Sequence, residues 1–242
     1  MNIVCKNCDT HFKGNYCPSC AQKASLSRLT VGSVIHELWH NFTHTDKGIV
    51  GLLVAMCKTP GKVIREYIDG KRKKYFSPYT FFLLVTALLI YVSSLVFHYE
   101  DKLYHYNNEY GQYINKNYNL IVLLSLPFLA GILKLIFFKR KYNYAEWVVF
   151  FIFSFGLSNC IQVLIQCFYF PFIQYHYKIK GYTDWASYLI FILVLISFIQ
   201  PKNIWNWLQC IIASIIVYLF VEELAPGIAL LLWGVPLNSL LK

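Results

Sequence analysis

The chain opens with two C-x-x-C pairs separated by eight residues, formed by Cys5, Cys8, Cys17 and Cys20. Each C-x-x-C turn allows two thiolates to bind one metal ion, and two such turns complete the tetrahedral S4 site that zinc prefers. We therefore predict a zinc ribbon over residues 1–24, with Phe12 and Tyr16 covering the metal. Because four thiolates leave no open coordination position, we expect the zinc to be structural.

A second motif, His36-Glu37-Leu38-Trp39-His40, fits the H-E-x-x-H pattern of zinc hydrolases. On a helix the two histidines lie one turn apart on one face, and the Glu can act as a general base on a zinc-bound water. A third ligand at the required spacing is missing, since His44 does not follow the metzincin pattern. We interpret the segment as an amphipathic helix at the membrane interface, with a metal site at His36, Glu37 and His40 as the alternative.

Residues 25–75 are basic and predict amphipathic helices that lie on the membrane surface. One of them begins at Thr59-Pro60 and ends at Asp69-Gly70, because Pro is favoured in the first helical turn and Gly just after the last. Five polar residues of this region form a possible headgroup-binding site where the interfacial helices meet the spans, in which Lys and Arg would hold a lipid phosphate: His44, Asp46, Lys47, Lys71 and Arg72.

The remainder of the chain, residues 76–242, has the composition of a membrane domain. Of all residues 57% are hydrophobic and 14% are charged, whereas soluble domains carry about 25% charged residues. Apolar stretches of about 20 residues cross a bilayer as helices. The predicted spans are 76–98, 120–138, 147–170, 185–200 and 203–221, and residues 225–241 form a re-entrant segment or a sixth span. The expected fold is an all-α membrane bundle of about five transmembrane helices, with an N-terminal zinc ribbon and amphipathic interfacial helices.

The distribution of Lys and Arg predicts the orientation of this bundle. With the N-terminus in the cytosol, the inner segments carry sixteen Lys and Arg and the outer loops carry four. Positive charge collects on the cytosolic side of membrane proteins. We therefore expect a multi-pass protein with a cytosolic N-terminus.

These motifs together resemble an uncharacterised bacterial family of zinc-ribbon multi-span membrane proteins, known as a domain of unknown function. The resemblance covers roughly residues 1–90. The matching residues are Cys5, Cys8, Phe12, Gly14, Tyr16, Cys17, Cys20, His44, Asp46, Lys47, Gly48, Pro60, Gly61, Tyr67, Gly70, Lys71, Arg72, Tyr75 and Pro78. The resemblance implies the bacterial inner (cytoplasmic) membrane and brings no activity, substrate or catalytic residue with it.

The leading functional hypothesis is a non-enzymatic docking or accessory subunit that binds a protein partner through the ribbon or the basic interfacial segment. A membrane-interface enzyme or lipid-handling protein is the alternative, with its site at His44, Asp46, Lys47 and Arg72 or at the H-E-x-x-H motif. A small transporter is a third hypothesis, which the scarcity of ionisable residues in the interiors of the predicted spans disfavours, since Lys134 stands alone in these interiors apart from Cys and Tyr. The lipid bilayer is a partner in every case, and nucleic acid is not an expected ligand.

Overall fold

The computed structural model describes residues 3–25, 28–33, 48–104 and 109–232. In these ranges a two-stranded antiparallel hairpin precedes eight α-helices. The elements are β1 (Ile3–Val4), β2 (His11–Phe12), α1 (Ile49–Lys58), α2 (Pro60–Ile68), α3 (Pro78–Tyr104), α4 (Glu109–Ile136), α5 (Tyr144–Tyr169), α6 (His176–Ile199), α7 (Ile204–Leu219) and α8 (Ala225–Leu232). Short 3-10 turns occupy Arg72–Lys74 and Phe170–Tyr175, and a π-helical turn, Phe220–Leu224, joins α7 to α8.

Three stretches of helix in the described residues are long and apolar enough to cross a membrane. They are Pro78–Tyr99, Tyr144–Phe172 and Ile204–Ala229. These stretches indicate a membrane protein, as the composition predicts. Two further predicted spans correspond to shorter apolar stretches, Leu120–Ile136 and Trp185–Ile199. A count of five crossings therefore remains a prediction.

The long helices pack around a core of aromatic side chains. Trp147, Phe150 and Phe198 are fully or almost fully buried, and the ring of Phe198 lies 5.0 Å from that of Phe150 and 5.7 Å from that of Trp147. The helices α3 and α5 also pack together, with Gly156 on α5 against the ring of Phe81 on α3. A Cβ atom at position 156 would lie 2.7 Å from that ring. The absence of a side chain at Gly156 thus sets the distance between the two helices.

Helix α2 begins at Pro60 and is followed by Gly70, which confirms the predicted bounds. Gly70 has a φ of +112°, a left-handed conformation that a residue with a side chain adopts only with strain. The sequence predicts that α2 lies on the membrane surface. In the structure its apolar face, with Val63, Ile64 and Tyr67 buried, packs against the protein itself, chiefly on α6.

The ends of two predicted spans can be compared with the helices in the structure. Helix α5 ends at Tyr169, next to the predicted end of the span at residue 170, and gives way to a turn with non-helical backbone at Phe172, next to Pro171. The end of the last apolar run differs from the prediction. The sequence places the end of a span at residue 221, but the helix continues through the π-helical turn, so that the candidate span reaches Ala229. Residues 233–242, the rest of the predicted re-entrant segment, lie outside the described residues.

Candidate metal centre and the polar end of the bundle

The four N-terminal cysteines converge on one point, as their spacing predicts. Their sulfur atoms all lie within 4.8 Å of one another. The Sγ atom of Cys8 is 3.5 Å from that of Cys20 and 3.6 Å from that of Cys17, and the Cys5 and Cys20 sulfurs are 3.5 Å apart. Four sulfurs bound tetrahedrally to one zinc at 2.3 Å would be separated by about 3.8 Å. The cluster thus has the dimensions that a single metal ion requires.

Two similar backbone turns position these sulfurs. In the first, the N–H of Cys5 donates to the carbonyl of Thr10, and the N–H of Asp9 donates to the carbonyl of Cys5. The second turn repeats this pattern twelve residues later, from Cys17 to Gln22. Each turn contains one residue with positive φ, 58° at Asp9 and 55° at Ala21, which directs the chain back past its two cysteines.

The surroundings of the sulfurs change the pKa values of two of the four thiols, in opposite directions. A hydrogen bond with the Thr10 hydroxyl, 3.3 Å away, lowers the pKa of Cys8 to about 6, so that this thiol is largely a thiolate at neutral pH. Burial raises the pKa of Cys20 to about 11, and a bound metal would remove that proton. Phe12 is buried against the cluster, as predicted, but Tyr16 is 63% exposed and does not cover it.

The chain that follows the ribbon is attached to the bundle by polar contacts over long sequence separations. The guanidinium group of Arg28 makes two hydrogen bonds with the Glu146 carboxylate, at 2.8 and 2.9 Å, and contacts the carbonyl of Lys141. Asn143 donates from Nδ2 to the carbonyl of Leu29 at 2.9 Å. Because the Glu146 side chain is only 4% exposed, the ion pair anchors the N-terminal segment at the start of α5.

Asn143 and Glu146 also begin α5 with a capping box. The Asn143 side chain accepts from the backbone of Glu146 at 2.9 Å, and the Glu146 carboxylate accepts from the backbone of Asn143 at 2.8 Å. The same two side chains thus cap the start of α5 and bind the N-terminal segment. The functional hypotheses drawn from the sequence missed this junction. The N-x-x-E spacing before an apolar run was the available signal, although it identifies a helix start and not its partner.

A polar pocket of about 290 Å³ lies at this junction, between the ribbon and the bundle. Four cations and two carboxylates line it: Lys6, Arg28, Arg72, Lys141, Asp69 and Glu146. Lys141 lies 3.6 Å from Asp69, and Arg28 pairs with Glu146, so the lining carries an excess of two positive charges. An anionic group is the ligand that this lining fits.

Other predicted site residues have different positions. Arg72 lines the junction pocket, whereas Lys71 lies outside it and pairs with Glu66 at 3.5 Å. Six of the predicted site residues lie outside the described part of the chain: His36, Glu37, His40, His44, Asp46 and Lys47. The proposed second metal site and most of the proposed headgroup site therefore stay predictions.

Fold and site together describe a helical membrane protein with an N-terminal module of four cysteines placed to bind a metal ion. A model of the family described as "Protein of unknown function (DUF3667)" matches residues 46–90, from just before α1 into the first half of α3. This match lies within the region of the sequence resemblance and does not extend to the four N-terminal cysteines. No curated protein and no solved structure matches the chain.

Proposed function

We propose that the protein is an accessory subunit of the bacterial inner membrane whose cytosolic ribbon binds structural zinc and docks an acidic surface of a protein partner. The observation that carries this proposal is the concentration of positive charge at the ribbon end of the bundle. Residues 1–75 and 139–146 hold fifteen Lys and Arg against six Asp and Glu, a net charge of +9 within a total of +10. Such a surface attracts acidic partners and orients them.

Contacts between described residues of these segments bring several of the charges together. Lys141 lies next to Asp69, and Arg28 joins the ribbon segment to α5. The backbone N–H of Lys73 lies 3.4 Å from Oε1 of the buried Gln22 in the ribbon. Because Gln22 of the ribbon contacts Lys73 and Arg28 anchors the segment that follows, the ribbon would present a fixed surface to a partner instead of moving on a free linker.

Site-specific photo-crosslinking of the full-length protein in its native membrane tests this docking role. A photoreactive residue at Tyr16, which is 63% exposed on the ribbon, should crosslink to a defined protein. The same residue at Phe168, which is 81% exposed on the apolar surface of α5, serves as the control for lipid-facing positions. Charge reversal at the exposed Lys6 should abolish the ribbon crosslink, whereas reversal at the exposed Lys102 in the last turn of α3 should not. A crosslink that survives Lys6→Glu and Cys17→Ser contradicts the proposal.

A second candidate function, binding of an anionic lipid headgroup, rests on the position of the junction pocket. Tyr142 and Glu146 line that pocket and stand at the start of the candidate span Tyr144–Phe172, which is the depth of a headgroup. Basic pockets at such positions bind anionic lipids. Native mass spectrometry with phosphatidylglycerol would separate the two functions. Retention of lipid that is lost in Arg72→Gln but kept in Lys102→Gln would favour the headgroup site.

A further inference from the structure

Glu222 is a carboxylate inside an apolar helix, and the sequence-based spans stop one residue before it. It lies in the π-helical turn Phe220–Leu224, within the candidate span Ile204–Ala229. Ionisable residues inside membrane helices are rare and generally functional. π-Helical turns are likewise frequent at functional sites. Two independent features thus single out this position.

Three helices converge on the carboxylate. Tyr188 on α6 donates its hydroxyl to Oε1 of Glu222 at 2.6 Å, and Tyr118 on α4 donates to the same oxygen. Among the described residues no Lys or Arg forms an ion pair with Glu222. Its partners are therefore neutral hydroxyl groups, which can form hydrogen bonds with both a charged and a protonated carboxyl group.

Both tyrosines line a cavity of about 60 Å³ inside the bundle. Its other polar lining comes from α3, α5 and α6, where Asn159 donates to Thr86 at 2.9 Å and Gln162 donates to Ser187 at 2.7 Å. A polar cavity holds water once it exceeds about 10–15 Å³, so this one has room for several molecules. Tyr118 and Tyr188 both line this cavity and donate to Glu222, so they connect the cavity to the carboxylate.

We propose that Glu222 is an intramembrane proton-binding site, supplied with protons through the water-filled cavity and two tyrosine hydroxyls. Protonation forms one O–H bond at the carboxylate, and the hydronium ion that gives up the proton remains in the cavity as water. No electrons are transferred. The neutral acid removes a charge from the apolar helix, and the ionised form is stabilised by the two tyrosine hydroxyls. This role is independent of the docking function.

The titratable groups around Glu222 in the described residues are few. Tyr118 and Tyr188 contact it, Tyr218 packs against the Tyr188 ring at 4.4 Å, and the exposed Glu223 follows it in the chain. The lining residues from α3 and α5 that carry polar groups are Thr, Ser, Asn and Gln, which do not titrate. Protonation of Glu222 is therefore separable from that of its neighbours by single substitutions.

Infrared difference spectroscopy of the full-length protein in lipid nanodiscs tests the proposal. A pH titration from about pH 4 to about pH 9 should show a carboxylic-acid C=O band that is lost in Glu222→Gln and kept in the matched variant Glu223→Gln. Gln at position 222 still accepts from both tyrosines, so the fold should persist. If it does not, the tyrosine variants below decide the question.

Tyr188→Phe and Tyr118→Phe each remove one donor to the carboxylate. Because a hydrogen bond to a carboxyl group changes the frequency of its C=O stretch, each variant should shift the band of Glu222. Two results would overturn the proposal: a titrating band that is unchanged in Glu222→Gln, or a band whose frequency does not move in either tyrosine variant. The first would place the titrating acid elsewhere, and the second would make the tyrosine contacts purely structural.

Discussion

The ribbon and the bundle are stabilised in different ways. In the ribbon, four sulfurs within fifteen residues of one another surround a single point, and the buried apolar cluster consists of Phe12 and two of the cysteines. In the bundle, order comes from aromatic packing and from polar pairs between distant residues, such as Asn159 with Thr86. The ribbon should therefore depend on its metal, and the bundle on close helix contacts.

Metal removal should produce the largest loss of stability, and this loss should be confined to the ribbon. Binding of structural zinc supplies about 10–16 kcal/mol in small modules, far more than a ribbon of this size obtains from its few buried side chains. A chelator should make residues 3–25 sensitive to protease and leave the thermal unfolding of the bundle unchanged. Limited proteolysis followed by intact-mass analysis measures the first effect. Loss of bundle stability on chelation would show that the two regions are not separate.

Gly61→Ala should produce the largest effect of a single substitution in the bundle. A Cβ atom at this position on α2 would lie 2.1 Å from the backbone carbonyl of Ser197 on α6, so the helices must separate. We expect a loss of about 3 kcal/mol in the free energy of unfolding. Gly51→Ala on α1 is the control, because a Cβ there meets nothing within 4 Å. The control should be neutral or slightly stabilising. Equal melting temperatures for both variants in one detergent would disprove the close contact.

Glu146→Gln tests the attachment between the two regions. The substitution weakens the ion pair with Arg28 and one half of the capping box, and hydrogen bonds to a buried carboxylate are worth about 2 kcal/mol. Release of the ribbon segment by protease should accelerate accordingly. The control is Asp69→Asn at the same junction. Its ion pair with Lys141 is exposed on both sides and should contribute little. If Asp69→Asn had the larger effect, Glu146 would not be the anchor.

A smaller, pH-dependent effect is expected at Glu66. Hydrogen bonds from Lys74 at 2.6 Å and Tyr75 at 2.5 Å lower the pKa of this carboxyl from 4.5 to about 2. A depressed native pKa stabilises the fold above pH 4.5, and this contribution is lost as the pH falls towards 2. Because the lysines are partly exposed and screened by water, it should amount to about 1 kcal/mol.

The difference in thermal midpoint between the wild-type protein and Glu66→Gln measures this contribution. It should be constant above pH 5 and shrink below pH 4.5. Acid release of metal from the ribbon affects both proteins equally and cancels in the difference. A difference that does not vary with pH would show that Glu66 is not ionised in a hydrogen-bonded pair.

The contrast between the regions also explains what could be predicted from sequence. The cysteine cluster and the bounds of α2 depend on residues within one turn or loop, such as the C-x-x-C pairs, Pro60 and Gly70, so spacing was sufficient. The anchor between Arg28 and Glu146 joins residues 118 positions apart, which no local pattern reveals. The sequence does not reveal the role of Glu222, because a charged residue marks the end of an apolar run. The helix continues past it through a π-helical turn, with tyrosines from two other helices as partners.

The metal content of the purified, detergent-solubilised protein tests the central claim most directly. Elemental analysis should find one zinc per chain, and Cys17→Ser with Cys20→Ser should remove it while the bundle still folds. Iron in place of zinc would keep the tetrahedral sulfur site and change its metal. Two zinc ions per chain, the second lost in His36→Ala, would contradict the account. The protein would then be a membrane-interface metallohydrolase with Glu37 as its general base.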